Sequence, residues 1–408
     1  MRYLIARNEK YDFIGQSYAS QYPNIHKYPA TMIPQIGIEL LKETKIKKGR
    51  LLDPYCGSGS SFTAGLESGL VEMDGFDINP LAVLISRSKF SSYDIEKIDE
   101  EKQNLKNNVY DFIKSENNLN KILIPQYKNI NYWFSKPVLQ NLAVIKFFID
   151  KIDEKIRAFF LVPLSETTRE CSYTRNNEFK LYRIKSEEVL QFNPDVFGVF
   201  FNKLKKVIEI YKTYYLPKIK DIKVSVQYGE FINSPKKYDV VLTSPPYGDS
   251  CTTVAYGQFS IFGNRCLGFE NARQIDNMLM GGRTVQQIYQ NSIITEYIDE
   301  ISLQSQKRAL KVSSYYFDLA KSIKNVASSV KKRGIVFYII GNRRVKDIQL
   351  PTDQFIAEQF EENNFNHLFT YERLLSNKSM PLRNSPSNKM GQTKGTMTKE
   401  YIVAMRKK

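Results

Sequence analysis

The sequence predicts an α/β protein, a doubly wound and mostly parallel sheet carrying a large helical insertion. Short apolar, β-branched runs alternate with helical periodicities. Several of those runs break abruptly into loops rich in Gly, Ser or Pro. A chain of 408 residues can also bury a large core, as one enlarged domain or two to three.

Residues 31–43, TMIPQIGIELLKE, place Met32, Ile33, Ile36, Ile38, Leu40 and Leu41 at helical spacing, with Pro34 in the first turn. GRLLDPYCGSGSS (49–61) is a short strand ending in a Gly/Ser loop, and FTAGLESGL (62–70) is the helix that loop opens. MDGFDINP (73–80) is a second strand with an acidic end, followed by helical LAVLISRSKF. From about 95 to 218 the pattern is helical and charged. The core is therefore expected as residues 1–95 and 220–408, interrupted by a helical insertion at 96–219. Strands resume at 221–232, 238–247, 334–345 and 400–408, with helices at 315–332 and 351–365. There is no internal repeat.

Lys and Arg total 59 against 43 acidic residues, a net charge of +16 spread along the whole chain. Such a field suits a polyanionic partner, nucleic acid first; a Lys-, Asn- and Ile-rich proteome is the alternative source of the bias. Cys56, Cys171, Cys251 and Cys266 form no CxxC pair and the histidines are His26 and His367, so neither a metal site nor a disulfide scaffold is expected. No apolar run approaches the roughly 18 residues of a membrane span, and the first 15 residues are too polar for a signal peptide. A soluble, reducing, cytoplasmic setting is expected.

In DPYCGSGSS, Gly57 and Gly59 let the backbone pass close to a ligand at a helix N-terminus. The loop has neither GK[ST] nor GxGxxG, so a phosphate is not the expected ligand. Asp77 follows by about 20 residues at a strand tip, where such folds place a carboxylate on a ribose diol. Asp77 or Asn79 also suits the cap of the next helix.

DPYCGSGSS, GFDINP and TSPPYGDS, in this order and on strand ends, together resemble the amino-group DNA methyltransferases. HKYPATMIPQIGIELL (26–41) is similar to the cofactor-flanking segment of that family. The resemblance implies a Rossmann-like class I methyltransferase fold, S-adenosyl-L-methionine as cofactor, double-stranded DNA as substrate and a cognate restriction endonuclease as partner. The implied cofactor residues are Tyr28, Pro29, Asp53, Pro54, Cys56, Gly57, Ser58, Gly59, Asp77, Ile78 and Asn79. Glu230 stands where the family often has an Asp near the adenine amine, with a surface turn as its alternative. Cys56 and Ser60 depart from the commoner residues without removing a required group.

Ser244, Pro245, Pro246 and Tyr247 match the family's catalytic loop. An exocyclic amine is a poor nucleophile while its lone pair is delocalised into the base. Acceptors on its hydrogens, here the Ser244 hydroxyl and Pro245 carbonyl, favour the pyramidal form, and the prolines hold the loop rigid. Tyr247 would stack on a base flipped out of the duplex. Within the family Ser at the first position goes with N4 of cytosine, and Asn or Asp with N6 of adenine. N4-cytosine methylation in restriction-modification is therefore expected, with N6-adenine as the alternative. An RNA amine methyltransferase and a non-catalytic nucleic-acid-binding module are the competing classes. The latter predicts a degraded cofactor loop, whereas Asp53, Gly57, Gly59 and Asp77 are intact.

Three basic stretches are candidate DNA contacts. Residues 166–183 carry Arg169, Tyr173, Arg175, Lys180 and Arg183, or else form an ion-pair network with Glu166, Glu170 and Glu178. Residues 250–310, with Tyr256, Arg265 and Arg283, read as a target-recognition insertion or a structural one. Lys378 lies in a basic loop at 374–397, and Arg343 lies near the end of the strand predicted at 334–345. The insertion at 96–219 is a further candidate DNA-binding subdomain.

Overall fold

The central strands carry unbroken apolar stretches because they are covered on both faces there. Leu51, Leu52, Val240, Val241, Leu242, Val336 and Phe337 are all fully buried. The computed structural model describes residues 3–15, 21–29, 31–114, 122, 124–176, 178–249, 254–375, 383–384, 394–395 and 397–408.

Eight strands form one sheet: β1 (Ile5–Arg7), β2 (Arg50–Asp53), β3 (Glu72–Asp77), β4 (Lys223–Tyr228), β5 (Tyr238–Thr243), β6 (Val330–Ile340), β7 (Phe365–Leu374) and β8 (Lys399–Lys407). Their order is β1-β7-β8-β6-β5-β2-β3-β4. β8 runs antiparallel to both neighbours, β6 and β7, while the other pairings are parallel. Between β2 and β5 the winding reverses, so a crevice opens at their carboxyl ends.

Alternation along each strand feeds two cores. Leu51, Val240 and Leu242 face one with Phe62 and Leu40, from α2 (Ser60–Glu67) and α1 (Pro34–Glu43). Leu52, Val241 and Val336 face the other with Leu319 and Phe355. These come from α9 (Gln306–Ser329) and α10 (Thr352–Glu362). Gly37 allows α1 to close on the sheet: a Cβ there would lie 2.6 Å from Leu242 Cδ2 and 2.7 Å from Ala64 Cβ.

After α3 (Pro80–Phe90), the regular elements described between residues 95 and 219 are helices, with α4 (Ile95–Lys114), α5 (Lys136–Ile149), α6 (Glu154–Glu170) and α7 (Val196–Ile210) the longer ones. Phe159, Phe160 and Leu204 of this segment share the core of the α1–α3 face. α8 (Tyr256–Cys266) lies against α6: the Arg169 guanidinium donates to the Phe259 carbonyl at 3.1 Å and sits 4.5 Å from that ring's centroid.

Two strands are absent from the sequence expectations, β1 and β7. Phe365–Leu374 is buried only at intervals, so it gives no apolar run, and three-residue β1 exists only through its pairing with β7. The helix expected at 315–332 starts at Gln306, capped by the Ser305 hydroxyl on the Arg308 N–H, and gives way at Val330 to the strand.

Candidate functional site

A cleft of about 1220 Å³, its solvent-open mouth included, lies at the carboxyl ends of β2, β3 and β5. Its lining gathers Tyr28, Pro29, Asp53, Pro54, Cys56, Gly57, Ser58, Asp77, Ile78, Asn79, Glu230, Ser244, Pro246 and Tyr256. Segments separated by nearly 200 residues meet there because β5 lies beside β2.

The Gly loop is held by backbone bonds. Cys56 N–H donates to the Phe76 carbonyl at 2.9 Å and Gly59 N–H to the Cys56 carbonyl at 2.8 Å. Gly59 is the N-cap of α2 at φ +86°, where a Cβ would meet Phe90 and the Ser86 hydroxyl at 2.7 Å. It shapes the loop and does not line the cleft. Gly57, at φ +50°, has open space on its Cβ side.

The two aspartates differ. Asp53 is buried and accepts from the hydroxyls of Ser61 and Thr243 and from the Tyr55 N–H at 3.0 Å, locking the loop to β5. Asp77 is half-buried and accepts from the N–H groups of Gly57 at 2.9 Å and Asn79 at 2.8 Å. Desolvation pushes each carboxyl up to about 6. Asn79 caps α3 through the Leu81 N–H, and its side-chain amide donates to the Tyr28 hydroxyl at 2.9 Å and accepts from Asn264 at 3.0 Å. Tyr28 in turn stacks on Tyr256, centroids 6.1 Å apart at 22°.

The loop after β5 is clamped from several sides. The Tyr315 hydroxyl donates to the Pro246 carbonyl at 2.8 Å, and Arg308 forks onto Asp249 at 3.2 and 2.8 Å. Ser244 donates to the Tyr247 hydroxyl at 3.2 Å, and Tyr247 donates to Glu400 of β8 at 3.0 Å. Pro245 is buried, and of the four loop residues Ser244 and Pro246 line the cleft while Pro245 and Tyr247 do not. Burial holds the Tyr247 hydroxyl well above the usual tyrosine range, so it stays a donor.

The basic candidates separate by burial. Arg169 and Tyr173 are buried, Arg169 donating also to the Glu178 carbonyl at 2.6 Å. This corrects their reading as DNA contacts: both are spent inside the protein. Arg183 is half-buried, donating to the Tyr132 carbonyl at 2.9 Å, and Arg265 lies 3.6 Å from the Tyr127 ring centroid. Arg175, Lys180 and Arg283 are exposed. Arg343 is half-buried, its Nε has no hydrogen-bond partner among the described residues, and burial lowers its guanidinium from the ordinary value. Lys378 lies outside the described residues.

Sequence reasoning missed the wall that completes the cleft, Phe231, Met278, Leu279 and Met280 with Asp318, Lys321, Ser322 and Asn325 of α9. The i, i+3, i+4, i+7 spacing of the α9 residues marks one helix face, but such spacing alone names no ligand. A cleft with glycine backbone, a carboxylate and aromatic walls fits a nucleoside-sized ligand such as S-adenosylmethionine. Among the described residues no group of three or more His, Cys, Asp or Glu could hold a metal ion, and no helix is long and apolar enough to cross a membrane.

No family model matches the chain. It is 35% identical over 433 residues to the type II methyltransferase M.MvaI of Kocuria varians, covering 98% of this chain and 94% of that one. A 91-residue stretch is 32% identical to the type II methyltransferase M.MjaII of Methanocaldococcus jannaschii, 22% of this chain and 17% of that one. Among solved structures, an S-adenosylmethionine-dependent methyltransferase from Clostridium acetobutylicum superposes at TM-score 0.32 with 9% identity, covering 98% and 96% of the two chains. The rRNA methyltransferase aviRa of Streptomyces viridochromogenes superposes at 0.32 with 11% identity, covering 99% and 95%. By its near full-length identity to the first of these, the chain belongs to the type II methyltransferases, S-adenosylmethionine-dependent DNA methyltransferases.

Proposed function

We propose that the protein methylates the N4 amine of a cytosine flipped out of a specific duplex sequence, as the modifying partner of a restriction endonuclease. The observation that carries this reading is Ser244, which opens onto the cleft beside the cofactor loop at the end of β5. Its hydroxyl and the Pro245 carbonyl accept the amine hydrogens and tilt the nitrogen lone pair out of conjugation. The Pro246 carbonyl already accepts from the Tyr315 hydroxyl, so the amine contact is assigned to Pro245 rather than to Pro246. S-adenosylmethionine supplies an electrophilic methyl group.

Asp77 takes the ribose diol and Glu230 the adenine amine of the cofactor, while Asp53 keeps the loop in register with β5. Tyr247 stacks on the flipped base. Arg343, whose Nε has no hydrogen-bond partner among the described residues, takes a phosphate of the extruded nucleotide. Residues 250–310 read the target sequence, and exposed Arg175, Lys180 and Arg283 hold the backbone, with the 96–219 segment as a second DNA-binding body.

The test is incubation with methyl-labelled S-adenosylmethionine and duplex DNA or RNA, followed by digestion to nucleosides. N4-methylcytosine in DNA is the expected product. N6-methyladenine corrects the base, and label confined to RNA overturns the substrate. Ser244→Ala lowers kcat by about 100-fold and leaves cofactor affinity within about twofold on calorimetry; unchanged turnover removes Ser244 from the mechanism.

A further inference from the structure

A serine hydroxyl can donate or accept, so a Ser in the amine-binding position is useful only if something settles its direction. In this protein the settling group comes from a strand that carries none of the recognised motifs. Glu400 of β8 is buried and accepts the Tyr247 proton at 3.0 Å; Tyr247, its own hydrogen so committed, accepts the Ser244 proton at 3.2 Å. The Ser244 lone pairs are then the part of that hydroxyl left for an incoming N–H.

Glu400 is itself anchored. Its other oxygen pairs with Nη1 of Arg373, a fully buried guanidinium on neighbouring β7, whose Nε donates to the Tyr11 carbonyl at 2.6 Å. β7 and β8 pair Arg373 directly opposite Glu400, so the ion pair is fixed by sheet register. Gly341 completes the arrangement. A Cβ there would lie 2.7 Å from the Tyr247 ring, so glycine leaves room for that ring beside the end of β6.

We propose that Glu400, held by Arg373, is a positioning residue that orients the Ser244 hydroxyl as an acceptor through Tyr247. This rests on the reading of Ser244 as the group that binds the target amine, and holds for either base. The hydroxyl of Tyr247 thereby acquires a task that stacking does not require. Burial keeps that hydroxyl protonated, consistent with its place as donor to the carboxylate.

Tyr247→Phe retains the ring and removes the link. Under multiple turnover on the duplex that the wild type methylates, kcat falls about tenfold, while KM for DNA and calorimetric cofactor affinity stay within twofold. Glu400→Gln lowers kcat at least as far. The double variant Tyr247→Phe/Glu400→Gln is no slower than the slower single one, and Tyr247→Phe adds nothing in a Ser244→Ala background. Wild-type kcat in Tyr247→Phe, or multiplicative losses when it is combined with Ser244→Ala, overturns the relay. Should Glu400→Gln fail to fold once its ion pair is broken, the Ser244 and Tyr247 cycle decides alone. A product of N6-methyladenine would overturn the cytosine assignment while leaving this cycle to be read on adenine.

Discussion

At the scale of single residues, buried charge sets how the site responds to pH. The Asp77 carboxyl, raised to about 6 by desolvation, is the group proposed to accept from a ribose diol. That contact favours the ionised form, so a proton must leave before binding when the pH is below about 6. Cofactor affinity measured by calorimetry is therefore expected to be flat above pH 7 and to fall towards tenfold per unit below pH 6. Asp77→Asn should bind more weakly and lose the pH dependence. Lys89 shows the opposite sign. It is 1% exposed, its Nζ has no hydrogen-bond partner among the described residues, and burial lowers it to about 7 from 10.5. A lysine lowered in the folded state costs nothing above 10.5, where it is neutral in both states, and the cost grows as the pH falls to about 7. Lys89→Met is expected to stabilise by about 1–3 kcal/mol at pH 6.5, with the gain shrinking by pH 10; denaturant melts at the two values check it.

At the scale of elements, the cleft depends on how closely α1 lies on β5. Gly37→Val would drive a branched side chain into Leu242 and Ala64. A loss of about 1–3 kcal/mol in stability, accompanied by weaker cofactor binding, is expected from urea melts and calorimetry. The elements that were legible in the sequence are those whose information is local. β2 with its Gly loop, β3 with Asp77, and β5 with Ser-Pro-Pro-Tyr each announce a strand, a break and a chemical group within about a dozen residues. What was illegible comes from pairing across the chain. Arg373 and Glu400 look like ordinary charges in edge-like sequence until β7 and β8 bring them opposite each other. The α9 face that walls the cleft reads as a common amphipathic helix. Arg169 misled for the same reason: a basic residue among aromatics suits a DNA face or a buried hydrogen-bonding role, and only the packing of α8 on α6 decides between them.

At the scale of the whole molecule, a net charge of +16 should make duplex binding strongly dependent on salt while leaving the half-buried cofactor site nearly indifferent. Raising monovalent salt from 50 to 200 mM is expected to weaken DNA binding by roughly 100-fold or more in fluorescence anisotropy. Replacing exposed Arg175 and Lys180 by alanine should reduce the slope of log affinity against log salt by about 1 each; an unchanged slope would take them off the DNA. The position of β8 bears on activity as well as on the fold. It is inserted between β6 and β7, yet it is formed from residues 399–407, and it brings Glu400 to Tyr247. A chain truncated at residue 398 has its cofactor loop and its Ser-Pro-Pro-Tyr segment, but an open sheet and no Glu400 to accept the Tyr247 proton. A variant ending at residue 398 is therefore expected to lose methylating activity, which methyl-transfer assays on that variant check.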